Sequence, residues 1–279
     1  MTSPIKQVLV HLDPTPSSRQ RLQVAVRLSQ QQGAHLSALY ATTPAFLAAS
    51  IPPDGAAAIA MLQEVDEEQR AAARNMFEEV TRGCGMAVTW SDTLDMSMFR
   101  NFVDQALYDG PSRPGSASIG SRSAAPVPAD FPEFVLLASG RPAMVLPHSG
   151  CPDVPGSIAA VAWKPTREAA RAVSAAVPLL QRAKEVHVLC WGDAGETRVA
   201  GERLELGRYL AMHGVQPTWH RDASEPEGLG EILLSRVSDL GADMLVMGCY
   251  GHSRAREWTL GGASRTILGS MTVPVLMAH

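Results

Sequence analysis

Aromatic residues make up only 5% of this 279-residue chain, and no apolar run is long enough to cross a bilayer. A membrane partner is therefore not expected. Cysteine is scarce. Cys84, Cys151, Cys190 and Cys249 lie far apart with no C-x-x-C pair, which excludes the common zinc and dithiol patterns and suits idle thiols in a reducing compartment. The eight histidines form no H-x-x-x-H pair either, so no metal is expected. Charge of one sign is also lacking: 24 Lys+Arg stand against 28 Asp+Glu, a net charge of −4 with no basic stripe, which excludes a nucleic-acid footprint. The opening residues, MTSPIKQVLVHLD, do not follow the basic, apolar, small-residue order of a secretion signal, so the expected location is cytoplasmic. There is no G-x-x-x-x-G-K-[ST] loop, and no G-x-G-x-x-G follows the first strand. No Ser-His-Asp, Cys-His or paired-carboxylate arrangement can be assigned from spacing, and Ser139-Gly140 reads as a helix end, not a nucleophile elbow. No catalytic residue is expected.

What the chain does contain is repetition. Gln7 opens QVLVHLDPTPSSRQRLQVAVRLSQQQGAHLSALYA, and Ser157 opens SIAAVAWKPTREAARAVSAAVPLLQRAKEVHVLCW. Each is a short apolar run, a Pro-Thr turn, a segment of helical period and a second apolar run. Asp13-Pro14-Thr15 matches Lys164-Pro165-Thr166, and the halves close alike on LLASGRPAMVLPH and ILGSMTVPVLMAH. Two copies of one α/β unit follow, 1–150 and 157–279. In the second copy the pattern predicts strands at 158–163, 186–191, 215–220, 244–247 and 273–277. Helices are predicted at 167–182, with Pro178 inside, at 200–213, closed by Gly214, over a face of Leu229, Ile232, Leu233, Val237 and Leu240 closed by Gly241, and at 263–270. Strands that are apolar on both faces and alternate with helices imply a parallel sheet covered on both sides.

The first copy departs twice. A long helix over 56–82 is inserted after its second strand, with Leu62, Val65, Ala72, Phe77 and Val80 expected to pack on the body. Between Gly110 and Asp130, 16 of 21 residues are Gly, Pro, Ser or Ala, so the interval reads as a loop where a fourth strand should lie.

The stretch MGCYGHSRAREWTLGGAS, Met247 to Ser264, carries the chemistry. Gly248 and Gly251 end a strand, and Gly261-Gly262 return after nine intervening residues to open the last helix. Such glycines let backbone N–H groups and a helix N-terminus face an anion, or they let the strand end approach a neighbouring helix. Both readings stand at this point. His252, Ser253 and Arg254 read as a solvated helix start, Arg256 and Glu257 as outward-facing, and Trp258 as filler.

Gly248-x2-Gly251-x9-Gly261, with the closing Val273-Pro274-Val275, resembles the glycine signature and last strand of the universal stress proteins. The resemblance spans the chain as two tandem Rossmann-like domains, strongly over 157–279 and weakly over 1–150. It implies five largely parallel strands per domain sandwiched by helices, paired through the last strands as a pseudo-dimer, with Ala143 to Leu146 antiparallel to Val275 to Met277. A homodimer and unidentified protein partners are further implications. So is a non-enzymatic stress-response role, with ATP bound in some members. Carried over, the cofactor-binding positions are Gly248, Gly251, Gly261, Gly262 and Ser264. Gly262 stands where the signature has Ser or Thr, and Lys164 stands where ATP-binding members carry an aspartate. Asp13 keeps that aspartate in the first copy, which lacks the glycine loop. The expectation is weak or absent ATP binding in the second domain. The alternatives are a working nucleotide sensor or weak ATPase on the same residues, or an adenylating α/β enzyme.

Overall fold

A computed structural model describes residues 5–49, 55–93, 98–108, 116–121, 127–192, 205–224, 226–249 and 262–279. The chain divides into two compact units, Ile5–Arg141 and Pro142–His279. Both are α/β units with parallel sheets flanked by helices.

The first unit runs β1 (Gln7–Leu12), α1 (Ser17–Gln32), β2 (His35–Tyr40), α2 (Ala45–Ala48), α3 (Ala56–Thr81), β3 (Val88–Asp92), α4 (Met98–Tyr108), β4 (Ser116–Ser121) and α5 (Phe131–Ser139). Its strands lie parallel in the order β3-β2-β1-β4. Val8, Val10 and Leu12 on one face of β1 and Leu9 and His11 on the other are all buried, as expected of a strand covered on both faces. One side of its core gathers Leu9, Leu39, Met98, Phe102, Phe131 and Val135.

The interval 110–130 needs correction. Ser116–Ser121 is a strand, not loop, and it pairs in parallel with β1 from Gln7↔Ser116 to Val10↔Ile119. A ladder is made by backbone groups, which Ser, Ala and Gly carry as well as any residue. Composition therefore hid a strand whose pairing partner is over a hundred residues away. The inserted helix α3 exists as expected but packs over less of its length. Phe77, Ala73 and Thr81 are buried and Leu62 and Val80 half-buried, whereas Val65 and Ala72 are exposed.

The second unit runs β5 (Ala143–Leu146), β6 (Ile158–Trp163), α6 (Arg167–Leu180), β7 (Glu185–Trp191), α7 (Leu206–Met212), β8 (Thr218–Asp222), α8 (Leu229–Asp239), β9 (Met244–Gly248), α9 (Gly262–Ser270) and β10 (Val275–Ala278). Its strand order is β5-β10-β9-β6-β7-β8, parallel throughout except for β5. β5 lies antiparallel to β10, with Ala143 opposite Met277 and Val145 opposite Val275, the pairing expected from the sequence. Of the described strands, four lie in the first unit and six in the second. Most second-half elements fall within a residue or two of expectation. The third strand starts three residues late, at Thr218, and the helix before it is described only from Leu206. Gly214 (φ 75°) and Gly241 (φ 61°) take the left-handed conformation that ends α7 and α8. There the amides of Val215 and Ala242 bond back to Leu210 and Val237. The start of β6 is pinned by Asp243, whose carboxylate accepts from the amides of Gly156, Ser157 and Ile158 at 3.0–3.1 Å.

Candidate functional site

In the second unit, β6 feeds β7 on one side and receives β9 on the other, so a crevice opens beyond the carboxyl ends of these strands. It holds a cavity of about 340 Å³. Trp163 ends β6, Trp191 ends β7, and Met247 and Gly248 end β9. Leu229 and Leu233 of α8 complete an apolar wall. The polar side is made by Lys164, Thr166, Glu168 and the first residues of α9, Gly262, Ala263 and Ser264.

Each polar group is placed by local rules. Thr166 caps α6 in extended conformation, its hydroxyl accepting from the Ala169 amide at 3.3 Å. Glu168 follows in the first turn, only 3% exposed, with one oxygen paired to Arg167. Burial pushes its carboxyl upward, but Arg167 and Thr166 outweigh burial and hold it below the usual glutamate range. The carboxylate that lines the cavity is thus held ionised by its Arg167 partner. At α9, the first amides have no partner within the helix and carry the positive end of its dipole. Ser264 is 5% exposed and lines the cavity beside these amides. Such a group, buried against the cavity, is suited to an acceptor brought by a ligand.

The glycines divide. A Cβ on Gly248 would overlap the Ala169 amide nitrogen and lie 2.7 Å from the Glu168 carbonyl carbon. Gly248 is glycine because the strand end presses on the backbone of α6. Gly262 is the opposite case: a Cβ there meets nothing within 4 Å. Gly251 and Gly261 lie outside the described residues, as do His252, Ser253, Arg254, Arg256, Glu257 and Trp258. The structure therefore brings Gly248, Gly262 and Ser264 to one cavity. Trp163, Trp191 and Glu168 join them without any sequence signal beyond their places at strand and helix ends.

Asp13 has a different fate. Its side chain is fully buried, and one oxygen lies 2.6 Å from Arg21, itself 1% exposed. The other oxygen accepts from the Thr15 amide at 2.8 Å and from the Ser18 hydroxyl at 2.9 Å. Arg21 also donates to the His11 carbonyl and to Ser18. Both oxygens of the carboxylate are thus engaged by the fold.

His11 sits in the same network, its ring 4.6 Å from Phe131 and its Nε2 2.8 Å from the Ala41 carbonyl. Burial, reinforced by Arg21, lowers its pKa to about 4. The unfolded chain takes up this proton near pH 6.5 and the native state resists it down to about 4, so stability is intact above that window and lost through it. The expected loss is about 3 kcal/mol at roughly 1.4 kcal/mol per pH unit. Urea unfolding at pH 7.5 and 4.5 measures it, and a His11→Asn variant should show a shallower dependence. Equal stability at the two pH values would contradict this role.

All four cysteines are free. Burial pushes Cys249 up to about 12 and Cys151 to about 11, so neither is a thiolate nucleophile near neutral pH. Ser139 donates to the Val135 carbonyl at the end of α5, as a helix-end serine and not a nucleophile. Among the described residues no helix is long and apolar enough to cross a membrane, and no cluster of three or more His, Cys, Asp or Glu could hold a metal ion.

No protein-family model matches the sequence, and no curated protein matches it. Solved structures do. A universal stress protein from Archaeoglobus fulgidus DSM 4304 is similar over 98% of this chain and 97% of its own, at 16% identity and a TM-score of 0.66. A Pseudomonas aeruginosa UCBPP-PA14 protein assigned to the same family covers 98% and 92% at 15% identity and a TM-score of 0.57. A functionally unknown protein from Pseudomonas aeruginosa PAO1 gives 98% and 92% at 15% identity and a TM-score of 0.55. The chain has the fold of these proteins along its whole length.

Proposed function

We propose that the chain is a tandem universal stress protein: a non-enzymatic, cytoplasmic binding and signalling module with copies over 1–150 and 157–279. Its ligand site is the cavity of the second copy, which holds a nucleotide weakly at most. The observation that carries this reading is Ser264, a buried residue beside the first amides of α9 in a cavity with apolar walls. Amides and hydroxyl suit a phosphate, and the tryptophan-lined wall suits a planar body.

Two features weaken a nucleoside triphosphate. Lys164 supplies no carboxylate for a ligand hydroxyl, and Gly262 supplies no hydroxyl for a phosphate. Each lost hydrogen bond is worth about 0.5–1.5 kcal/mol, so two weaken affinity roughly ten- to a hundredfold. Titration calorimetry with ATP and Mg²⁺ tests the reading. The natural protein should bind weakly or undetectably, with a salt-sensitive affinity where heat is seen. The Lys164→Asp/Gly262→Ser double variant should bind about tenfold more tightly or better. Tight, saturable ATP binding by the natural protein would replace this reading with that of a nucleotide sensor.

A further inference from the structure

We propose that His187 of β7 and His220 of β8 form a two-imidazole site for a divalent first-row transition cation, Cu²⁺ foremost, on the outer part of the second unit's sheet. The site is independent of the ligand cavity. Register builds it. His187 stands opposite Thr218 and Leu189 opposite His220, so the two histidines are diagonal neighbours on one face of the sheet. Their rings tilt by 52°, and His187 Nδ1 lies 3.2 Å from His220 Nε2. Two imidazole nitrogens bound to one cation at about 2.0–2.1 Å each are themselves roughly 3 Å apart. In the metal-free protein one ring N–H bridges the two nitrogens, and a cation would take that proton's place after a modest rotation of the rings.

A third residue orients the pair. Glu185, two residues before His187 and therefore on the same face, places its carboxylate 3.4 Å from His187 Nε2. A carboxylate on the far nitrogen of a ligating imidazole fixes its tautomer, leaves the near nitrogen's lone pair for the metal and raises its basicity. No described group of three or more ligating side chains exists, so water fills the remaining positions. Two nitrogens plus water is a donor set for tetragonal Cu²⁺, which also heads the general affinity order for divalent ions. The His187 side chain is 11% exposed and His220 is half-buried on β8, the last strand of the sheet, so a cation would reach the pair from the sheet edge.

The test is titration of the metal-free full chain with Cu²⁺, followed by electron paramagnetic resonance. One equivalent should bind with hyperfine structure from two nitrogens. His220→Gln should lose that signature and at least about tenfold in affinity. Glu185→Gln should keep both nitrogens but weaken binding about tenfold, as expected for a residue that positions a ligand. His213→Gln, at a ring that meets Tyr209 edge-on, should change nothing. Thermal melts of each metal-free variant check folding, and Cu²⁺ should raise the midpoint of the natural protein but not that of His220→Gln. Unchanged binding in a folded His220→Gln variant, or no two-nitrogen spectrum in the natural protein, would overturn the site.

Discussion

Replacing Arg21 by methionine is expected to cost about 3–5 kcal/mol of stability at neutral pH, because it leaves the Asp13 carboxylate buried without its counter-ion. Both side chains are almost fully buried and 2.6 Å apart, so no solvent screens the loss. Burial pushes the Asp13 carboxyl up, but Arg21, His11 and the Thr15 hydrogen bonds together outweigh it and hold it below its ordinary value. A carboxylate depressed in this way stabilises the fold above its unfolded pKa and loses that contribution as pH falls. The penalty in Arg21→Met should therefore shrink in acid, where Asp13 can be neutral. Adding Asp13→Asn should recover most of it, since removing both charges spares the fold an unpaired ion. Chemical denaturation of the four proteins closes the cycle. A loss under about 1 kcal/mol in the single variant would place Asp13 in contact with water and undo its assignment to the fold.

The second large effect separates the two kinds of glycine at the cavity. Gly248→Val should destabilise by about 2–3 kcal/mol or more, because its Cβ has only backbone to push against, at Glu168 and Ala169. Gly262→Ser should stay within about 0.5 kcal/mol, since its Cβ meets open space. If both variants are neutral, Gly248 is not a packing glycine. The gap between the two is itself informative. One glycine holds β9 against α6 and so sets the cavity floor, while the other leaves the mouth of α9 open.

How much of this was legible depends on what each element rests on. In the second half, β6, β7 and β9 are written as apolar runs, and Gly214 and Gly241 mark helix ends, so pattern and structure agree closely. β4 was illegible because its backbone, not its side chains, makes the ladder with β1. Arg21 lies in a helix among Ser, Gln and Leu and reads as a solvated residue; only the turn that brings Asp13 over it makes it buried. The glycine spacing located the cavity but could not assign Gly248 to helix packing, which requires the position of α6. His187 and His220 are thirty-three residues apart and meet only through strand register.

The most direct test of the account is the small-molecule content of the purified protein, released by denaturation and identified by mass. Under the proposed function, Ser264 and the amides of α9 would hold a phosphate, while Lys164 and Gly262 leave out two groups that a complete nucleotide would bond. The account predicts ATP and ADP well below one molecule per chain. Stoichiometric ATP or ADP would contradict it.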